Sequence, residues 1–203
     1  MRNKFNNLVL ILVSFFIVFK SVNANEPFIF NITEIEILEN GNQVNGFKGG
    51  TAISKDGSTI TAENFFYNKL TNILETTGNV KYLDKIKNVV ITADKAIYLK
   101  NKEKIFAIGN SKAVSNNNTI TASNLEYDKI KNIFEAKNNV VAIDFKKDAT
   151  IFADEISYKK NEETIFTKGK TKALIENKYE FNSENVSYFK NLGNLISQKK
   201  SSV

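Results

Sequence analysis

The side chains with the most chemical potential are four carboxylates at a regular interval. Glu63, Asp94, Asp154 and Glu184 each follow a small residue: Ala62, Ala93, Ala153 and Ser183. A carboxylate pair can move protons, and carboxylates at fixed places among glycines can hold a metal ion. Neither pattern is met. Ser123 stands where one acid is due, and no glycine–aspartate alternation follows. The chain has no histidine and no cysteine, and it lacks a Gly-x-Ser-x-Gly elbow and a phosphate loop. Carboxylates that recur in step with a repeat are architectural, shaping or solvating a corner. No enzyme activity, metal or cofactor is expected.

The element that positions them is the repeat itself, clearest in residues 119–142, TITASNLEYDKIKNIFEAKNNVVA. Weaker copies start at Thr59, Val90, Thr150 and Glu180. The anchors Ala62, Ala93, Ala122, Ala153 and Ser183 are separated by 31, 29, 31 and 30 residues. A second series, Gly49, Gly78, Gly109, Asn138 and Gly169, is separated by 29, 31, 29 and 31. Two markers in step at this period are the signature of a stacked, quasi-linear architecture.

Within each copy two alternating apolar pairs are joined by a step of three. Ile60/Ala62 precedes Phe65/Tyr67, Ile91/Ala93 precedes Ala96/Tyr98, Ile120/Ala122 precedes Leu125/Tyr127, and Ile151/Ala153 precedes Ile156/Tyr158. A strand has a side-chain period of two, so a bend or bulge must restore the face between the pairs. A helix also places residues three apart. The wealth of Thr, Ile, Phe, Tyr and Val, and the shortness of the apolar segments, favour strands. A polar turn follows each tyrosine. A return arm then passes through a Gly or Asn, residues that tolerate a positive φ. The expected unit is a bent β-hairpin of about 30 residues. The expected fold is all-β: a twisted β-jellyroll or solenoid of stacked V-shaped antiparallel strands.

Stacked hairpins share one elongated interior. About five hairpins give roughly ten strands and a length near 45–50 Å. Ile60, Ala62, Ile91, Ala93, Ile120, Ala122, Ile151 and Ala153 are expected inside, with Phe106, Phe134 and Phe166 across from them. Plain core packing explains any one of these residues. Their continuous arrangement would also accept acyl chains, at about 0.8 kcal/mol per buried methylene.

The 203 residues suit one domain, residues 25–203, behind a leader at 1–24. The leader has a short basic start, a run of twelve largely apolar residues (8–19) and small side chains at Val22 and Ala24. That is a secretory signal pattern, with cleavage before Asn25; an uncleaved anchor is the alternative. Either places the rest outside the cytoplasm. The 28 basic and 22 acidic residues leave a net charge of +6, three of it from Arg2, Lys4 and Lys20. No basic block points to nucleic acid. The last repeat stops at Val203 with its return arm incomplete. This is compatible with a docking edge, a frayed end or a longer protein.

The ITADxxxY strand, charged turn and glycine-marked return (IFAIGNSKAV at 105–114, IFTKGKTKALI at 165–175) resemble the OstA-like domain of lipopolysaccharide-transport proteins. That domain makes up periplasmic LptA and the periplasmic N-terminal part of the assembly protein LptD. The resemblance implies a periplasmic bridge component that carries the acyl chains of lipopolysaccharide in its interior. Partners would be other OstA-like proteins, joined by edge-strand pairing, and an outer-membrane barrel. A closed structural β-solenoid without a lipid ligand, and a monomeric periplasmic chaperone, are the competing readings.

Overall fold

The computed structural model describes residues 26–197 and 199–202. The leader read at 1–24 lies outside the described residues. Among these residues no helix is long and apolar enough to cross a membrane.

Among the described residues fourteen antiparallel strands form one sheet. They are β1 (Phe28–Leu38), β2 (Gln43–Ser54), β3 (Thr59–Ala62), β4 (Asn64–Asn68), β5 (Ile73–Asp84), β6 (Val89–Leu99) and β7 (Lys104–Ser115). β8 (Asn118–Asp128), β9 (Ile133–Asp144), β10 (Ala149–Lys159), β11 (Thr164–Ile175), β12 (Tyr179–Glu184), β13 (Val186–Phe189) and β14 (Asn194–Ser197) follow. β3 and β4 are the two arms of one strand, broken at Glu63. β12 and β13 are likewise broken at Asn185. The stack therefore has twelve rungs, more than the ten expected, because the atypical first unit (β1–β2) forms a full hairpin. At about 4.8 Å per rung the stack is roughly 50 Å long.

Every full strand bends at the place where the apolar step of three stands. The pairing register shifts between Thr92 and Lys95, Thr121 and Asn124, and Ala153 and Glu155. The return strands bend opposite, between Thr77 and Val80 and between Ile108 and Ser111. The bulge keeps Ile120, Ala122, Leu125 and Tyr127 all buried on one face. Each rung is thus a V with two arms. The first arm ends in the turns near residues 56, 86, 117, 146 and 177, and the second in those near 70, 101, 130, 161 and 191.

The bend needs left-handed backbone. Gly78, Gly109 and Gly169 have φ of 81°, 76° and 80°, and Asn138 has 66°. At three bends the corner acid fills the space a side chain would need: Glu63 over Gly78, Asp94 over Gly109, Asp154 over Gly169. Asn110 Nδ2 donates to Asp94 Oδ2 at 2.9 Å, and Asn79 Nδ2 to Glu63 Oε1 at 2.6 Å. Where Asn138 replaces glycine, the shorter Ser123 replaces the acid. The recurring carboxylates are thus corner pieces.

Candidate functional site

The interior of the V is graded in size. Small side chains sit at the vertex: Ala62, Ala93, Ala96, Ala107, Ala122 and Ala136 are buried there. Thr167 and Thr171 share a 2.6 Å hydrogen bond across one vertex. Tyrosines fill the wider part toward the arm tips. Tyr127 stacks on Phe134 with centroids 4.5 Å apart, and Phe134 on Tyr158 at 6.1 Å. These are neighbours on successive rungs. The interior is packed; Tyr67, Leu74, Ile105 and Tyr127 are 0% exposed.

Of the eleven residues expected to line it, Ile60, Ala62, Ile91, Ala93, Ile120, Ala122, Phe134 and Ile151 are buried on the inner face. Ala153 is partly buried and packs against the same core near its C-terminal end. Phe106 and Phe166 lie elsewhere. Each alternates with buried neighbours, Ile105 and Ala107 or Ile165 and Thr167, and is itself half-exposed on the outer face. The ammonium of Lys159 covers the Phe166 ring at 5.1 Å. The inner places opposite the tyrosines are Leu74, Ile105, Phe134 and Ile165, each four residues before its corner Gly or Asn.

Among the described residues no strand closes the mouth of the V. Among the described residues, the backbone hydrogen bonds join neighbours within an arm or at a corner and do not cross the mouth. Lysine side chains cross it. Lys129 bonds Asp56 and lies 3.3 Å from Asp84 Oδ2. Lys160 donates to the carbonyl oxygen of Lys87. Lys190 donates to Asn118 Oδ1 at 2.6 Å and lies 3.4 Å from Asp144 Oδ2. The hydrogen-bonded partners are 73, 73 and 72 residues apart, and Asp84 and Asp144 stand 45 and 46 residues before the lysines beside them, so the arms meet in an offset that repeats along the mouth. The offset is the twist of the stack, seen at its mouth.

These lysines belong to a series that the reading of apolar faces passed over. Lys69, Lys100, Lys129, Lys160 and Lys190 each stand two residues after a buried tyrosine. Each backbone N–H bonds the preceding tip turn, to Asn42, Asn72, Glu103, Asn132 and Glu163 in order. A Tyr-x-Lys recurring at 31, 29, 31 and 30 residues was the available signal. The tyrosine anchors the turn: Tyr67 and Tyr127 donate to Asn72 and Asn132 Oδ1 at 2.9 and 3.1 Å, and Tyr98 to Glu103.

The electrostatics follow from this packing. Burial works to raise the Asp56 carboxyl. Hydrogen bonds from Lys129 and Ser58, with the Lys129 charge, outweigh it and hold the group far below the ordinary carboxylate range. Burial, reinforced by Lys87 and opposed by Asp84, lowers Lys160. Burial pushes Tyr67, Tyr158 and Tyr188 up to about 12. Apolar side chains line the outer lips, where Leu70, Ile86, Ile130, Phe145 and Leu192 are exposed on the tip turns.

Among the described residues no three His, Cys, Asp or Glu side chains gather as a metal site. The chemistry available among the described residues is non-covalent: a packed apolar interior, a row of cations across its mouth, and unpaired strand edges at both ends. Among the described residues β1 pairs only with β2, and β14 only with β13. One edge of β12 meets only an isolated bridge between Asn182 and Ser202.

Comparison with known proteins gives the same architecture. No curated protein matches the sequence. A crystal structure of LptH from Pseudomonas aeruginosa superposes with a TM-score of 0.51 at 13% identity, over 56% of this chain and 84% of that one. It is described as the LptA-homologous periplasmic component of a lipopolysaccharide transport device, and at this identity the likeness is one of fold. The sequence itself matches the model of the OstA-like protein family over residues 30–184. That span takes in nearly all of the rungs from β1 to β12, with the glycine and asparagine corners from Gly49 to Gly169 and four of the five Tyr-x-Lys turns, so the chain belongs to the OstA-like protein family.

Proposed function

We propose that this chain is a periplasmic component of lipopolysaccharide transport, taking up acyl chains between the arms of its V. As an OstA-like protein it is non-catalytic. The observation that carries the proposal is the mouth. One apolar interior runs the length of the stack, and among the described residues only side chains hold its two rims together. Parting the arms breaks a few polar contacts and no strand pairing. The lost interior contacts are replaced by those to the incoming chains. The exposed apolar residues on the lips give those chains a first foothold.

In this reading the open edges of β1 and of β12 and β14 receive strands of neighbouring OstA-like proteins, lengthening the channel into a bridge toward an outer-membrane barrel. A leader at 1–24 would deliver the chain to the periplasm.

The test is photo-crosslinking in cells. A photo-reactive phenylalanine at Phe134 and a photo-reactive leucine at Ile91 or Ile120 should capture lipopolysaccharide. The same groups at Thr92 or Thr121, on the other face, should not. Equal capture from both faces, or capture from neither in protein of native circular dichroism, would leave a closed β-solenoid scaffold as the better account.

A further inference from the structure

Three tip turns share a form that neither the apolar interior nor the corners explain. Residues 84–88 and 128–132 both read DKIKN, and residues 144–148 read DFKKD. In each turn the leading aspartate is buried. Oδ1 of Asp84 and of Asp128 accepts the backbone N–H of Lys87 and of Lys131, both at 2.9 Å, and Asp144 Oδ1 accepts that of Lys147 at 3.3 Å. The apolar residue at the tip is left in water. Ile86, Ile130 and Phe145 are 82%, 70% and 64% exposed, and Leu192 on the last turn is 71% exposed.

The mouth brings these turns together in pairs. Lys129 lies 3.3 Å from Asp84 Oδ2 and so holds the Ile130 turn against the Ile86 turn. Lys190 lies 3.4 Å from Asp144 Oδ2 and so holds the Leu192 turn against the Phe145 turn. Four rungs, about 19 Å, separate the Ile86 turn from the Phe145 turn. Two pairs of apolar tips thus straddle the seam as one ridge.

The charge of the ridge is one-sided. Exposed lysines elsewhere pair with exposed acids, as Lys48 with Glu34 and Lys95 with Glu75, both at 2.7 Å. On the three turns the aspartates are taken up by backbone N–H groups and by the lysines of the mouth. Lys85, Lys87, Lys131, Lys146 and Lys147 remain at the surface around the apolar tips, against one exposed carboxylate on these turns, Asp148.

This arrangement sorts the partners. A protein interface needs a contiguous, desolvated centre, and single side chains on separate turns do not supply one. A bilayer takes such side chains one by one at the boundary between head groups and acyl chains, while lysines beside them stay among anionic head groups.

We propose that the ridge of Ile86, Ile130, Phe145 and Leu192 docks this protein on the surface of a bilayer rich in anionic phospholipid. The seam then faces the membrane. Docking goes beyond the uptake of acyl chains and does not require it.

The test is co-sedimentation with vesicles of phosphatidylcholine, alone or mixed equally with phosphatidylglycerol. It uses residues 25–203, which hold the whole described fold without the apolar leader. The anionic vesicles should bind at least about tenfold tighter, and about 0.5 M salt should remove most of the difference. Ile86→Ser/Ile130→Ser and Lys85→Gln/Lys87→Gln should each weaken binding to the anionic vesicles by about tenfold or more, with circular dichroism unchanged. Lys112→Gln/Lys168→Gln removes the same charge from the outer face and should bind as wild type does. Equal binding to both kinds of vesicle, no loss in Ile86→Ser/Ile130→Ser, or an equal loss in Lys112→Gln/Lys168→Gln would overturn the ridge. A photo-reactive leucine at Ile86 that captures protein and no phospholipid in cells would overturn it too, in favour of a protein partner. Failure of crosslinking from Phe134 with vesicle binding intact would remove the channel and leave the membrane surface, so the two proposals fail separately.

Discussion

Lys129 and Asp56 lie 73 residues apart in the chain and meet across the mouth of the V. Lys129 also serves Asp84, which is 3% exposed. One ammonium, 9% exposed, thus ties a tip turn of one arm to two tip turns of the other.

Removing that ammonium should cost more than a surface ion pair does. Lys129→Met leaves Asp84 buried and uncompensated, so urea denaturation should show a loss of about 3 kcal/mol. Adding Asp84→Asn to Lys129→Met should recover part of the loss. Equal stability of Lys129→Met and wild type would show that the rims are held by packing alone.

Acid should weaken the mouth first. The Asp56 carboxyl is lowered in the folded protein, so the unfolded chain binds its proton more readily. The Asp56 contribution is fully present above the unfolded value, about 4, and is lost as pH falls toward the lower folded value. Melting temperatures measured from pH 6 to 2 should fall more steeply for wild type than for Asp56→Asn.

The tyrosines carry the opposite sign. Six of the seven are raised, with burial the largest cause in each, and three of these reach about 12. A raised group contributes stability that is fully present below its unfolded value, about 10, and is lost as pH rises through the folded one. Spectrophotometric titration should therefore show most phenols ionising in one cooperative step together with unfolding, above pH 10. Gradual ionisation of all seven near pH 10 with circular dichroism unchanged would contradict the packed interior.

The corners predict a paired effect. Gly109→Asn puts a side chain where the Asp94 carboxylate sits, at a left-handed φ, and should destabilise by about 1–3 kcal/mol. Adding Asp94→Ser copies the native Asn138 and Ser123 pairing and should restore most of the loss. Thermal melts of the single and double variants decide it. No recovery would mean that backbone strain, and not the carboxylate, is the penalty.

Much of this fold was legible in the chain because it depends on local rules. The step of three between Ala122 and Leu125 demanded a bulge, and the backbone bends there. The Gly and Asn markers demanded left-handed corners, and their φ values agree. Phe106 and Phe166 were assigned to the wrong face by matching residue type. Phe134 stands four residues before its corner, in the place of Ile105 and Ile165, while Phe106 and Phe166 stand three before theirs. Counting from the corner corrects the register, since one residue flips the face. The mouth was not legible. Its contacts join turns 45 to 73 residues apart, and that offset comes from the accumulated twist of the whole stack, which no single repeat encodes.

The same offset bears on how the molecule assembles. In an ordinary linear array each unit touches only the next, and a terminal unit can melt without disturbing the middle. Here the rungs lie down by near-neighbour hairpins, while the rim-to-rim bonds must wait until more than two further units are in place. Folding should run in two tempos, a quick sheet followed by a slower seam. The seam should be the late and most easily reopened part of the molecule.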